Sequence, residues 1–156
     1  MKHSFLISAL LMLVIRCSAS SFDKSKSNIN PDLVDTTKMA NNKIKLTIGS
    51  RAFTVTIADN SARKAFEDML PLTINMAELN GNEKYFDLPK SLPANSSNPG
   101  TIQNGDLMLY GSRTLVLFYK SFSTSYSYTR LGRVDNISGL AEALGSGSIT
   151  VKYRLD

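Results

Sequence analysis

KIKLTIGSRAFTVTI, residues 43–57, is the clearest β-hairpin in the chain. Polar and apolar residues alternate along 43–48 and again along 51–57, which is the pattern of half-buried strands. Gly49-Ser50 between them supplies a two-residue turn, with a glycine where a positive φ is needed. The segment therefore predicts two antiparallel strands that turn one face toward a core.

A short helix is predicted next. Asp59, Asn60 and Ser61 offer side-chain oxygens that can cap a helix N-terminus. Apolar residues then recur at helical spacing over 62–70, while charged residues occupy the opposite side, which we interpret as solvent-exposed. Pro71 prevents further continuation of the helix.

The remainder of the domain is predicted to be mainly β. A long loop rich in Ser, Asn and Pro, 89–104, interrupts it, and loops of this length are more often functional or mobile than accidental. The strand 113–120 is apolar over 115–119, so we expect it to be covered on both faces. About seven short strands with two short helices predict a closed or nearly closed β-barrel capped by helices. Beyond Pro71 the predicted elements are strands at 72–79, 85–88, 106–110, 113–120, 129–134 and 149–155 and a helix at 138–144.

The N-terminal part of the chain has the features of an export signal. Lys2 precedes an apolar run, 5–15, which is too short for a bilayer-spanning helix of about 20 residues. Small residues at Cys17 and Ala19 fit cleavage after Ala19. We therefore expect a signal peptide at 1–19, a flexible polar linker at 20–42 and one folded domain at 43–156.

Cys17 leaves a second outcome open, in which it becomes the lipidated first residue of a lipoprotein. Arg16 stands where that signal wants a small residue, so cleavage is the preferred interpretation. In either case the protein is expected to be exported, to the periplasm or cell envelope, and to meet a membrane only through its signal or a lipid anchor.

Composition excludes several classes of function. The formal charge of +5 falls to +3 without Lys2 and Arg16, and no basic cluster with interleaved aromatics indicates nucleic-acid binding. The single histidine, His3, and the single cysteine, Cys17, both lie in the predicted signal. A mature domain without either lacks the usual base for a serine nucleophile, so hydrolase or oxidoreductase chemistry ranks low, and no metal or cofactor is expected.

Several short segments occur in an informative order and spacing over roughly 43–155, although no single segment is specific. The segments are Met69-Leu70-Pro71-Leu72, Gly81-Asn82-Glu83-Lys84-Tyr85, Leu88-Pro89, Gly105-Asp106-Leu107, Tyr110-Gly111, Leu117-Phe118-Tyr119 and Tyr128-Thr129-Arg130-Leu131-Gly132-Arg133. Together these segments resemble the small bacterial cyclophilin-like domain proteins. The resemblance implies a cyclophilin-like closed β-barrel of about eight strands with two short capping helices.

Cyclophilins isomerise prolyl bonds with an arginine held beside the proline amide, above an apolar pocket. Gln103-Asn104-Gly105-Asp106 resembles a turn of their motif. However, no arginine occurs between Arg63 and Arg113, and the corresponding strand region carries Thr73, Asn75, Glu78 and Lys84. The resemblance thus supports the fold and argues against the usual activity.

Two segments could form a ligand site. Glu83-Lys84-Tyr85-Phe86 could surround a ligand, or could be a turn with solvated charges and core rings. Tyr126, Tyr128 and Arg130 alternate, so on a strand they share a face that could bind a carboxylate, a phosphate or a proline ring. Packing with a snorkelling arginine is the alternative. The candidate ligand-binding residues are Glu83, Tyr85, Phe118, Tyr126, Tyr128, Arg130 and Arg113.

The preferred hypothesis is an exported domain that binds a peptide or small ligand without the catalytic arginine of cyclophilins. The alternative is a peptidyl-prolyl cis-trans isomerase with a rearranged site, in which Arg113 or Arg130 replaces the missing guanidinium.

Overall fold

A computed structural model describes residues 42–156 of the chain. The predicted signal peptide (1–19), Cys17 and the predicted linker up to residue 41 lie outside the described residues. Strands and two short helices make up the described part, and neither helix there is long and apolar enough to cross a membrane. In chain order the elements are β1 (Lys43–Ile48), β2 (Arg51–Ile57), α1 (Ser61–Glu67), β3 (Leu72–Leu79), β4 (Glu83–Asp87), β5 (Thr101–Ile102), β6 (Asp106–Tyr110), β7 (Thr114–Phe118), β8 (Phe122–Ser123), β9 (Tyr128–Val134), α2 (Leu140–Leu144) and β10 (Ile149–Leu155).

Eight strands close into an antiparallel barrel in the order β1-β10-β3-β4-β7-β6-β9-β2, and β5 pairs with β8 separately. The opening hairpin forms over the predicted residues, with Leu46 opposite Phe53. On its other edge Leu46 lies opposite Tyr153 of the last strand, so β1 is paired on both sides. The predicted mainly β closed barrel with two short helices is confirmed.

One continuous core fills the barrel. Each strand of the barrel contributes inward-facing apolar residues, and both helices add theirs to the same cluster. Phe66 of α1 has no exposed surface and meets the ring of Tyr153 edge-on, with centroids 6.0 Å apart. Leu140 and Leu144 of α2 are buried in the same way.

Helix α1 is shorter than its periodicity predicts. Its cap is Asn60, whose side-chain oxygen accepts a hydrogen bond from the Ala62 amide at 3.0 Å. After Glu67 the α-helical hydrogen bonds give way to bonds that span three residues. The Met69 amide donates to the Phe66 carbonyl, and the Leu70 amide donates to the Glu67 carbonyl. The apolar residues 69–70 therefore pack against the core from a turn.

The predicted strand 113–120 is also shorter, because both of its ends bond elsewhere. Arg113 belongs to the turn, and the Tyr119 amide donates to the Asn82 carbonyl at 3.0 Å. Helix α2 begins at Leu140 rather than at residue 138, because Gly139 before it has a left-handed φ of 75°.

The long loop 89–104 is fastened to the barrel. Leu92 is buried in the barrel core, and Ser97 and Tyr128 exchange two backbone hydrogen bonds of 3.0 Å. The Asn95 amide donates to the Thr129 hydroxyl at 2.9 Å. The end of the loop forms β5, which pairs with β8, so this predicted loop contains a short strand.

Candidate functional site

The outer face of β4, β7, β6 and β9 carries a second apolar cluster, separate from the barrel core. Leu115 and Leu117 of β7 point into the barrel, whereas Val116 and Phe118 point outward. This alternation is the ordinary geometry of a strand. The strand is therefore buried on both faces, as its continuous apolar sequence predicts. The outer cluster contains Ile102, Met108, Val116, Phe118 and Tyr128, with Tyr85 and Phe122 packed against it.

A groove of about 390 Å³ opens over this outer face. Strand register explains its composition, because Asp87 pairs with Thr114, Thr114 with Tyr110, and Tyr110 with Tyr128. One row of outward side chains therefore crosses all four strands. Tyr85 and Val116 pair in the row below it. The lining residues are Leu79, Asn80, Glu83, Tyr85, Asp87, Tyr110, Thr114, Val116, Tyr126 and Tyr128.

Tyrosine rings form one wall of the groove. Tyr126, which is 61% exposed, stands edge-on to Tyr110, with centroids 6.1 Å apart and planes at 89°. Tyr110 lies 5.6 Å from Tyr128 at a tilt of 53°. Beneath them Phe118 meets Tyr128 edge-on at 5.6 Å, so it supports the wall without lining the groove.

Two carboxylates belong to the groove. Asp87 accepts a hydrogen bond of 2.6 Å from the Thr114 hydroxyl. Glu83 is partly buried, and its carboxylate forms no hydrogen bond or ion pair within residues 42–156. Burial raises the pKa of the Glu83 carboxyl above its ordinary value, and the negative charge of Glu78 raises this pKa further. The groove therefore holds an unpaired carboxylate.

The segment Glu83-Lys84-Tyr85-Phe86 is divided between the two faces of β4. Glu83 and Tyr85 line the groove, whereas Phe86 packs against the barrel core. Lys84 is completely buried and donates to the Glu78 carboxylate and to the carbonyl oxygens of Gly145 and Gly147. The ammonium group of this segment is therefore part of a structural network and does not reach the groove.

The two candidate arginines also bond away from the groove. Arg113 donates from Nε and Nη2 to the Leu88 carbonyl, at 3.1 and 3.0 Å. Arg130 forms an ion pair of 3.2 Å with Asp106, which has no exposed surface. The Asp106 carboxylate also accepts a hydrogen bond from the Gln103 backbone amide at 2.8 Å. The turn 103–106, which resembles a cyclophilin motif, is therefore fixed by the ion pair of Asp106 with Arg130.

The predicted common face of Tyr126, Tyr128 and Arg130 is only partly realised. Tyr126 precedes β9, yet it lines the same groove as Tyr128. Arg130 pairs with Met108 on the outer face, beside a bulge in the β6–β9 pairing, but its guanidinium turns to Asp106. The structure thus brings together Glu83, Tyr85, Tyr126 and Tyr128, and places Phe118 below them.

Sequence reasoning missed six lining residues. Asp87 could have been predicted, because residues two apart on one strand share a face, as Glu83, Tyr85 and Asp87 do on β4. Tyr110 and Thr114 depend on which strands are neighbours, and that pairing is not visible in the local pattern. The other missed residues are Leu79, Asn80 and Val116.

Metal ligands are not clustered in the described part of the chain. Over residues 42–156 no group of three or more His, Cys, Asp or Glu side chains is placed to hold a metal ion.

We expect the carboxyl carbon of Glu83 to titrate in NMR with a midpoint above its ordinary pKa of 4.5. In Glu78→Gln this midpoint should fall but stay above 4.5, because burial is the larger cause of the shift. Since a raised carboxyl pKa means that the folded state binds the proton more tightly, ionisation of Glu83 lowers stability as pH rises through that midpoint. A midpoint at or below 4.5 in the wild-type protein would contradict this geometry.

A hypothetical protein from Archaeoglobus fulgidus, known from a solution structure, is similar with a TM-score of 0.51 and 14% identity, over 74% of this chain and 95% of that chain. At this identity the likeness concerns the fold alone. Comparison with the curated proteins gives no match. The model of the Cyclophilin-like family matches residues 46–154, which include every residue that lines the groove. The chain belongs to the cyclophilin-like family.

Proposed function

We propose that this domain binds a peptide or a small ligand in the groove over β4, β7, β6 and β9. The observation that carries the proposal is the unpaired, partly buried carboxylate of Glu83 beside a wall of tyrosine rings. Leaving a buried charge without a partner costs free energy, which a ligand with a complementary group recovers on binding. The volume of about 390 Å³ is also within the range of small-molecule sites.

Binding without catalysis is preferred over prolyl isomerisation. Catalysis of this reaction must lower a rotational barrier of about 18–20 kcal/mol. Cyclophilins use a guanidinium for that purpose, and neither Arg113 nor Arg130 is among the residues that line the groove. In a protease-coupled assay with a proline-containing peptide, we expect rates equal to those of the buffer blank. Clear isomerase turnover, together with no ligand for the groove, would overturn the proposal.

The binding function is tested by a survey of peptides and small molecules that measures the thermal shift of the wild-type protein. We expect stabilising ligands whose shift is lost in Tyr126→Ala, because this substitution removes an exposed groove wall. Leu155→Ala is the matched control, since Leu155 is 58% exposed and lies outside the groove. A survey without stabilising ligands, or ligands unaffected by Tyr126→Ala, would contradict the proposal.

We further propose that the domain is exported, which the features of residues 1–19 support. Expression of the full chain in a bacterial host, followed by mass spectrometry of the exported fraction, tests this. Cleavage after Ala19 gives a mature chain that begins at Ser20, whereas lipidation gives one that begins at acylated Cys17. A product that keeps Met1 and stays inside the cell would contradict export.

A further inference from the structure

We infer that the ligand of this groove carries an organic cation, a substituted ammonium group recognised jointly by the tyrosine rings and Glu83. The inference rests on the binding function proposed above and adds the chemical class of the ligand. Either a small free amine or the side chain of a lysine in a peptide could supply this group.

Charge is the first reason. The chain as a whole is basic, with a formal charge of +5 and a pI near 9.4. The charged residues that line the groove are nevertheless both acidic, Glu83 and Asp87. An anionic ligand would face two carboxylates there, whereas a cation meets complementary charge.

The arrangement of the rings is the second reason. A cation is attracted to the face of an aromatic ring when it lies within about 6 Å of the centroid. Tyr110 stands between Tyr126 and Tyr128, with centroid separations of 6.1 and 5.6 Å and planes inclined at 89° and 53°. These three rings and Tyr85 all border the same groove, so a ligand in it lies beside several aromatic rings at once. Such sets of rings are suited to alkylated ammonium groups.

The unpaired state of Glu83 is the third reason. Its neighbour Glu78 is fully engaged, with Lys84, Tyr119 and the Gly81 amide as hydrogen-bond donors. The buried Lys84 is thus committed to Glu78 and supplies no counter-charge to the groove. A neutral ligand would leave the Glu83 charge uncompensated, whereas an ammonium group pairs with it.

Three compounds of similar shape and different charge test the inference. Choline is the cation, neohexanol is its neutral carbon isostere, and tert-butylacetate is the corresponding anion. Each is titrated into the protein at pH 7 while amide proton–nitrogen correlation spectra are recorded. We expect choline to shift amides around the groove and to bind at least about tenfold more tightly than either isostere. A parallel titration uses Nα-acetyl-lysine methylamide, in which the side-chain ammonium keeps its charge. It distinguishes a lysine side chain from a free amine as the bound group.

Substitutions at Glu83 and Tyr126 test separately the contributions of the carboxylate and of the aromatic rings to binding. Glu83→Gln keeps the shape of the side chain and should weaken choline binding about tenfold, because it removes the charge. Tyr126→Leu should weaken it several-fold, and Tyr126→Phe, which keeps a ring, should restore most of that loss. Glu142→Gln is the matched control, an exposed glutamate on α2 outside the groove, and should leave the affinity unchanged.

The outcomes separate this inference from the proposed function. If either isostere shifts the groove amides at concentrations equal to or below those of choline, the inference is wrong and the binding function stands. Choline binding that is unchanged in Glu83→Gln and Tyr126→Leu, or absent, also overturns the inference. In the last case the thermal survey decides the proposed function independently.

Discussion

Lys84→Met is expected to lower the free energy of unfolding by about 3 kcal/mol or more. The side chain of Lys84 has no exposed surface. Its ammonium donates to the Glu78 carboxylate, to the Gly145 carbonyl at 2.9 Å and to the Gly147 carbonyl at 2.6 Å. Removing one partner of a buried ion pair leaves the other charge uncompensated, which is more costly than the pair itself is stabilising.

The position of this network explains the size of the expected effect. Glu78 also accepts from the Tyr119 hydroxyl at 2.7 Å and from the Gly81 amide at 2.9 Å. The network therefore joins β3, β4, the residue after β7 and the segment between α2 and β10. Burial and the hydrogen bond to Glu78 raise the pKa of Tyr119 to about 12.

Glu78 gives the same network a dependence on pH. Partial burial acts to raise the pKa of its carboxyl. The hydrogen bonds from Lys84, Tyr119 and the Gly81 amide, together with the Lys84 charge, outweigh burial and lower this pKa below its ordinary value of 4.5. A depressed carboxyl pKa contributes stability that is present above pH 4.5 and is lost as pH falls through the folded-state value. Lys84→Met should therefore also weaken the dependence of stability on pH in the acid range.

Chemical denaturation of Lys84→Met, compared with Lys152→Met, measures this effect. Lys152 is exposed on β10, so the same substitution there should change stability by no more than about 0.5 kcal/mol. In a double-mutant cycle, Glu78→Leu combined with Lys84→Met should be less destabilising than the sum of the single substitutions. Equal effects of Lys84→Met and Lys152→Met, or strict additivity in the cycle, would show that the buried pair is not coupled.

Gly132→Ala is expected to destabilise the protein by about 3 kcal/mol, at the upper end of the range for overpacked sites. A Cβ atom at Gly132 would lie 2.5 Å from the Thr56 carbonyl oxygen and 3.2 Å from the Ile57 Cα. Both are backbone atoms, so a change of side-chain rotamer cannot relieve the clash. Gly132 pairs with Ile57 where β2 meets β9, and only three residue pairs form this contact that closes the barrel.

Gly147→Ala is the matched control for this substitution, because a Cβ there meets nothing within 4 Å. Thermal and chemical unfolding should place Gly147→Ala close to the wild-type protein and Gly132→Ala far below it. Hydrogen exchange should accelerate most at the Ala58 and Asp135 amides, which bond across the β2–β9 contact to Leu131 and Thr54. A Gly132→Ala protein as stable as Gly147→Ala would mean that the two strands are not this close.

The sequence predicts those parts of the fold that depend on neighbouring residues. The opening hairpin is specified by alternation and by Gly49, whose φ of 57° is the one the turn requires. Helix α1 was predicted at the correct position, but the prediction was too long. The helical spacing of apolar residues continues to Met69 and Leu70, whereas the α-helical hydrogen bonds end before them. The pairing of β1 with β10 joins residues about a hundred positions apart. The strand count and the resemblance to a family both predicted a closed barrel, but no local pattern shows which strands are neighbours in it.

The part of the candidate site that depends on local sequence could also be predicted. Glu83, Tyr85, Tyr126 and Tyr128 were singled out from local composition, and all four line the groove. Arg130 was singled out because it alternates with Tyr126 and Tyr128, and both Arg113 and Arg130 were considered as replacements for the cyclophilin guanidinium. Each has a partner in the fold that the sequence does not reveal, the Leu88 carbonyl and Asp106. Tyr110 enters the groove only because β6 lies between β7 and β9.

Intermolecular nuclear Overhauser effects from the choline methyl protons would locate a bound cation on the protein. We predict effects to the ring protons of Tyr85, Tyr110, Tyr126 and Tyr128, which border the groove beside Glu83. Effects confined to another surface, such as the one lined by Lys43 and Asp135, would contradict the assignment of this groove as the ligand site. Their absence at saturating choline would contradict the inference that the ligand of this groove carries an organic cation.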